Sequence, residues 1–290
     1  MTAPPLALNL LGLPTLVSGS APVVLSPSAT MLCAYLALAP REGRSRTVAA
    51  THLFADCSEP TARRRFNTAL WRLRTEVRSS VGVELVDATG GRSLCLNDAV
   101  EMTVDATRFE ELVLPVLSVA PTELTDDDAS RLENAVALHR GRLVEPCHDD
   151  WVMADRYRIE NLYLTALDYL VQHYGAHGEV GAVARYGELA LDLEPLREDI
   201  HRHLMTAYGA AGRADLAERQ FERCRMVLLQ ELGADPMPET IALYSRLAHG
   251  GGARSAGVDP LVAELERARR EVVRLGAIVD RALERLHQMT

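Results

Sequence analysis

Apolar positions along the first hundred residues fall into short blocks of changing period. Residues 6–11 and 22–25 are brief apolar stretches separated by Val17-Ser-Gly-Ser20, the pattern of a small antiparallel sheet with a tight turn. Ser26-Pro27 then opens a helix in which Met31, Leu32, Tyr35, Leu36 and Leu38 recur at helical spacing, and a Pro/Arg/Gly loop at 40–44 ends it. A short helix over about 45–55 follows, with Val48, His52 and Leu53 as its expected inner face. Glu59-Pro60-Thr61 introduces a longer helix over 61–79, where Phe66, Leu70, Leu73 and Val77 form one stripe. Residues 83–87 and 92–96 flank Thr89-Gly90-Gly91, a hairpin signal. Sheet, three helices and hairpin is the element order of a winged helix-turn-helix.

From 105 to about 248 the period is helical, and the chain repeats itself. At an offset of 34 residues, Leu170, Tyr174, Gly175, Ala176, Gly178 and Glu188 fall on Leu204, Tyr208, Gly209, Ala210, Gly212 and Glu222, all identities. That is the spacing of tetratricopeptide helix–turn–helix units, which bury their apolar faces only by stacking on neighbours. Residues 250–257 read as a flexible linker. Beyond it Leu261, Leu265, Ala268, Val272, Leu275, Val279, Ala282, Leu286 and Met289 alternate spacings of four and three, an a/d seam of about four heptads. Self-association through Leu261, Leu265, Val272, Leu275, Val279 and Leu286 keeps that stripe dry; packing back on the chain's own body is the alternative the linker permits. The expected fold class is therefore mainly α with a small β part. Its expected units are a winged helix-turn-helix over 1–100, a tetratricopeptide-like all-α domain over 101–249, the linker at 250–257 and a coiled-coil helix over 258–290.

Charge sharpens the picture because it is unevenly placed. The chain carries a net −9. Residues 1–100 nevertheless hold ten Arg against seven acids, whereas 101–250 hold fourteen Arg against 27 acids. Lysine is absent, and six Arg stand against one acid within 61–78. A small anion-binding module joined to an acidic body is the reading. Five widely spaced cysteines with no CxxC pair suit buried thiols in a reducing compartment. No apolar run approaches the roughly 18 residues of a membrane span, and the first residues lack an export pattern. A cytoplasmic, nucleoid-associated protein is expected.

On a helical wheel with the Phe66 stripe inward, Arg64, Thr68, Trp71, Arg72 and Thr75 face outward, flanked by Arg65, Asn67 and Arg78. Arg suits guanine O6 and N7, Asn suits adenine N6 and N7, and hydroxyls and further Arg suit phosphates. Arg63, Arg64, Arg65, Asn67, Thr68, Trp71, Arg72, Arg74 and Thr75 are the candidate DNA-contacting residues on this helix, with Arg92 at the hairpin reaching an adjacent phosphate or groove.

The stretch Glu59-Pro-Thr-Ala-Arg-Arg-Arg-Phe-Asn-Thr-Ala-Leu-Trp-Arg-Leu-Arg74 resembles the recognition-helix region of the Streptomyces antibiotic regulatory protein (SARP) family. Val104-Asp-Ala-Thr-Arg-Phe-Glu-Glu-Leu112 resembles the entry to that family's bacterial transcriptional activation domain. Further matches are Leu138-His-Arg-Gly-Arg-Leu143, Leu193-Glu-Pro-Leu-Arg-Glu-Asp-Ile-His201 and Glu231-Leu-Gly-Ala-Asp-Pro236. The resemblance spans about 6–248. It implies a cytoplasmic activator that binds direct repeats in double-stranded DNA near promoters as a side-by-side dimer and recruits RNA polymerase holoenzyme. Without a GxxxxGK[ST] phosphate loop, the chain is similar to the small class of that family. The terminal heptads are not part of the family pattern.

Other classes fit less well. His173 and His177 are four residues apart and His201 and His203 two apart, but neither belongs to a zinc motif, so no metal is expected. Asp126-Asp-Asp128 reads as an acidic helix start rather than a calcium loop. No nucleophile elbow, Cys/His pairing or dinucleotide glycine pattern points to catalysis, and no cofactor is expected. A repeat-based protein-binding adaptor is a second reading, although it has no use for six Arg on one helix. A regulator gated by a small molecule in the helical domain is a third, near whose start stand His139, His148 and Trp151.

Overall fold

A computed structural model describes residues 5–40, 42–87 and 93–250. The seam residues 261–289 and Arg92 lie outside the described residues, so the coiled-coil expectation is not addressed there. Mainly α architecture with a small β part is what the chain adopts: a mixed β/α head followed by a helical-repeat body.

The head opens with β1 (Leu6–Asn9), β2 (Thr15–Ser18) and β3 (Ala21–Val23), a meander in which Leu6 pairs with Ser18 and Leu16 with Val23. Leu6, Leu8, Leu16 and Val23 alternate inward, which fixes the register. Three helices follow, α1 (Pro27–Ala37), α2 (Arg46–Leu53) and α3 (Glu59–Val81). A small three-stranded sheet joins β4 (Arg44–Ser45), β5 (Val86–Asp87) and β6 (Ser93–Leu96) in the order β4-β6-β5. The antiparallel β5–β6 pair is the expected hairpin.

Two details depart from the periodicity. Val17 and Ser18, expected in the turn Val17–Ser20, belong to the strand Thr15–Ser18, because Leu16 and Ser18 face the core and only Gly19-Ser20 turns. In α2 the inner face is Ala49 and Ala50, while Val48 is 43% exposed; over an eight-residue helix, two alanines that pack flush against α3 outweigh one larger residue on the wrong side.

β7 (Met102–Val104) adds to β1 in parallel and runs straight into α4 (Asp105–Val113). The body then continues through two 3₁₀ turns to α5 (Asp126–Leu138), α6 (Asp150–Ala176), α7 (Val180–Leu193), α8 (Glu198–Ala210), α9 (Ala214–Leu232) and α10 (Pro238–Gly250). Asp126-Asp-Asp128 is indeed a helix start, closed by a capping box in which Thr125 and Asp128 satisfy each other's backbone N–H. The 34-residue repeat has a structural cause. Gly178 and Gly212 both adopt left-handed φ, 73° and 70°, and the next residue's N–H closes on Tyr174 O and Tyr208 O at 2.9 Å each. The repeated Tyr and Gly residues therefore occupy equivalent places in two successive helix–helix turns.

Head and body are joined by a clasp built from the loop 140–147. Leu143 bridges Leu11, Val144 N donates to Leu10 O at 2.7 Å, and Glu145 N donates to Gly12 O at 3.0 Å. Gly141 approaches Gly12 so closely that a Cβ there would sit 3.2 Å from Gly12 Cα. Asp105, the first residue of α4, accepts from Leu10 N at 2.7 Å and Leu11 N at 3.1 Å, while burial pushes its carboxyl up from the usual range. Arg156 on α6 is 3% exposed and donates to the carbonyls of Leu143, Val144 and Cys147 at 2.8–3.1 Å. Those bonds help hold Val144 at a φ of 49°, unfavourable for a β-branched residue. Tyr35 of α1 meets Trp151 of α6 edge-on at 5.0 Å, which completes the junction.

Buried histidines give the body a pH dependence. His201 is buried between Pro195 O (3.1 Å from Nε2) and the Gln220 amide (2.7 Å from Nδ1), a pair that satisfies the neutral ring, one nitrogen donating and the other accepting. Desolvation lowers its pKa, and likewise those of His139 and His173. A depressed folded value means that stability is fully present above the unfolded value of 6.5 and is lost as the pH falls through the folded one. Thermal melts should therefore show Tm falling as the pH is lowered from about 7 to 5, with a shallower fall in His201→Gln.

Candidate nucleic-acid interface

α3 is fixed on one side and bare on the other. Ala62, Phe66, Ala69, Leu70, Leu73 and Val77 are buried against α1 and α2, and Gly82 ends the helix. Arg63, Arg64, Arg65, Asn67, Thr68, Trp71, Arg72 and Thr75 are exposed on the remaining surface. Trp71 is 65% exposed, whereas the other tryptophan, Trp151, is 8% exposed at the head–body junction. A large apolar ring on a charged surface is costly in water and suits a face that is covered when the protein works.

The one acid in this stretch does not neutralise the arginines. Glu76 turns to the start of α1, where its carboxylate accepts from Ser26 N at 2.9 Å and Ser26 Oγ at 3.3 Å. Arg63 pairs with Glu59 one turn earlier at 2.8 Å, but both side chains are solvated and the pair holds weakly. Among the described residues Arg64, Arg65 and Arg72 have no carboxylate partner. The result is a local excess of fixed cations on an acidic protein.

Arg74 goes elsewhere. It was expected among the DNA-contacting residues, but its guanidinium pairs with Glu84 at 3.2 Å and donates to Val86 O at 3.4 Å, at the base of the hairpin. Arg78 pairs with the same Glu84. Both sit on the flank of the helix next to the hairpin, where a carboxylate and a carbonyl are within reach, so Arg74 braces the hairpin against α3.

A shallow groove runs along the bare face, lined by Ser28 at the start of α1, Phe54 after α2, and Thr61, Arg64, Arg65, Thr68 and Arg72 of α3. A second hollow beside it is lined by Glu59, Pro60, Arg63, Arg64 and Asn67. Ser28 was missed in the sequence; its only signal was its place in the first turn of a helix whose N–H groups and dipole favour an anion. Arg92 lies outside the described residues. His173 and His177 contact each other at 4.5 Å between ring centres, and no group of three metal-ligating side chains occurs among the described residues. Nor is any helix there long and apolar enough to cross a membrane.

Residues 104–248 match the model of the bacterial transcriptional activator domain. No curated protein matches the sequence. Among solved structures, the chain is similar to EmbR of Mycobacterium tuberculosis, solved in complex with a low-affinity phosphopeptide. The likeness has 21% identity and a TM-score of 0.61, over 93% of this chain and 71% of that one, and it shows a shared fold from head to body. The motifs that resemble Streptomyces antibiotic regulatory proteins thus sit in the fold they imply, and the chain belongs to the bacterial transcriptional activator domain family, a family of transcriptional regulators rather than of enzymes.

Proposed function

We propose that this protein is a sequence-specific activator that lays α3 in the major groove of double-stranded DNA. The observation that carries this reading is the concentration on one face of Arg64, Arg65 and Arg72, without a carboxylate partner among the described residues, with Asn67, Thr68 and Trp71, while the neighbouring acid, Glu76, is diverted to the start of α1. Arg64 and Arg72 supply guanine or phosphate contacts, Asn67 reads adenine, and Thr68, Thr75 and Arg63 bind phosphates. Ser28 at the start of α1 takes a phosphate beside the groove. Arg74 acts by holding the base of the hairpin, and Arg92 binds the flanking backbone.

Two copies bind side by side on a direct repeat near a promoter, and the helical body presents a surface to RNA polymerase holoenzyme. The protein works in the cytoplasm on the nucleoid, without a cofactor. Nuclease footprinting of the full chain on the DNA upstream of its own gene tests this. Two protected tracts of like orientation, spaced by whole helical turns of about 10.5 base pairs, are expected. A single tract with inverted halves, or uniform protection of any duplex, would contradict it.

Trp71 offers an internal probe. Its emission should be quenched when cognate duplex is added to the full chain, while Trp151 stays buried and silent. A Trp71→Phe variant that keeps the signal would place the contact elsewhere.

A further inference from the structure

The repeat array ends on an unfinished unit. α6–α7 and α8–α9 are complete helix pairs, but α10 has no second helix among the described residues. α10 is seated by Tyr244, whose ring stacks on Phe221 of α9 at 4.1 Å, and by Thr240, which bonds Glu198 and Arg202 of α8. Apolar surface stays wet along α9 and at the start of α10: Leu229 and Leu232 on α9, Met237 just before α10 and Ile241 on it are 42–61% exposed. In an antiparallel helix pair, residues on the same angular flank of each buried stripe meet on one side. At 100° per residue Leu229 and Leu232 fall on the Phe221 flank of α9 and Ile241 on the Tyr244 flank of α10, so these three border one groove, with Met237 preceding α10.

The sequence supplies what the groove lacks. Gly212 falls fourteen residues after the first residue of α8, and Gly252 falls fourteen after the first of α10. In the earlier units the second helix begins two residues after that glycine, at Val180 after Gly178 and Ala214 after Gly212, so a segment from 258 follows a connection four residues longer than theirs. Beyond Gly252 the heptad seam runs from Leu261 onward. We infer that the segment 258–290 is the missing second helix and docks in its own chain's α9–α10 groove, not on a second copy.

The connection is short enough to choose this partner. The described residues end with α10, nine residues or about 14 Å along the helix from Ile241, and the eight residues 250–257 let the segment turn back over that distance at high effective concentration. α9 is 19 residues, about 28 Å long, and so matches the part of the seam from Leu261 to Val279. Charge agrees: 101–250 carries thirteen more acids than Arg, and 251–290 one more Arg than acids. The inference is independent of whether α3 touches DNA.

Hydrogen exchange and sedimentation of the full chain without DNA test it, using two double variants, Leu265→Glu/Val272→Glu in the seam and Leu229→Glu/Ile241→Glu in the groove. Either pair should speed amide exchange over 239–248 about ten-fold, with α3 unchanged and no change in sedimenting mass. A wild-type dimer that either pair dissolves would overturn the inference in favour of a coiled coil between copies. Unchanged exchange over 239–248 in both variants would overturn it as well.

Discussion

Replacing Arg64 and Arg72 together by alanine is expected to weaken binding to cognate duplex roughly 100-fold while leaving the fold intact. Each side chain is exposed and lacks a carboxylate partner among the described residues, so neither truncation removes a described contact that holds α3 in place. Effects on stability should stay within about 0.5 kcal/mol. On DNA the same two guanidiniums each contribute a charge-assisted contact of roughly 1–3 kcal/mol. The plot of log affinity against log salt should also flatten by about 1.8, if both arginines neutralise a phosphate. Arg219→Ala provides the control. Arg219 is a surface cation of the acidic body held by Asp215, and its loss should leave DNA affinity unchanged. Fluorescence anisotropy on a labelled duplex reads all three proteins.

The second large effect lies at the clasp. Arg156→Met should cost about 3 kcal/mol, because it leaves the carbonyls of Leu143, Val144 and Cys147 buried without their donor. That corresponds to a fall in Tm of roughly 6–10 °C for a chain of this size. Arg156→Lys should be intermediate, since one ammonium cannot reproduce the forked contact to three oxygens. Thermal melts by circular dichroism measure it, and equal Tm values for the wild type and Arg156→Met would show that the loop holds its shape by other means. The loop carries the β-bridge and backbone bonds to Leu10–Gly12, so loosening it is also expected to loosen the head on the body.

Sequence periodicity was informative wherever one element decides the pattern. The Phe66–Val77 stripe, the Arg face opposite it and the 34-residue repeat follow from helix geometry and from the left-handed turns at Gly178 and Gly212, all of them local causes. What escaped depends on partners distant in the chain. Glu76 bonds α1, 50 residues earlier, and Arg74 pairs with Glu84 across a turn; neither partner is visible in the periodicity of one helix. β7 becomes a strand only because β1, almost a hundred residues earlier, offers it a parallel edge. The Leu138–Leu143 motif was visible as a family resemblance, whereas its role as a clasp on Leu10–Gly12 needed the fold. Val48 misled because small alanines carry little weight in a hydrophobic pattern yet pack closest in a short helix.

Whether the bare face of α3 binds DNA is decided most simply by a salt titration of full-chain affinity for its own upstream DNA against a scrambled duplex. Tight binding to the first and at least about a thousand-fold weaker binding to the second are expected, with log affinity falling steeply as log salt rises. Equal, weak affinity for both duplexes at every salt concentration would contradict a DNA-reading α3.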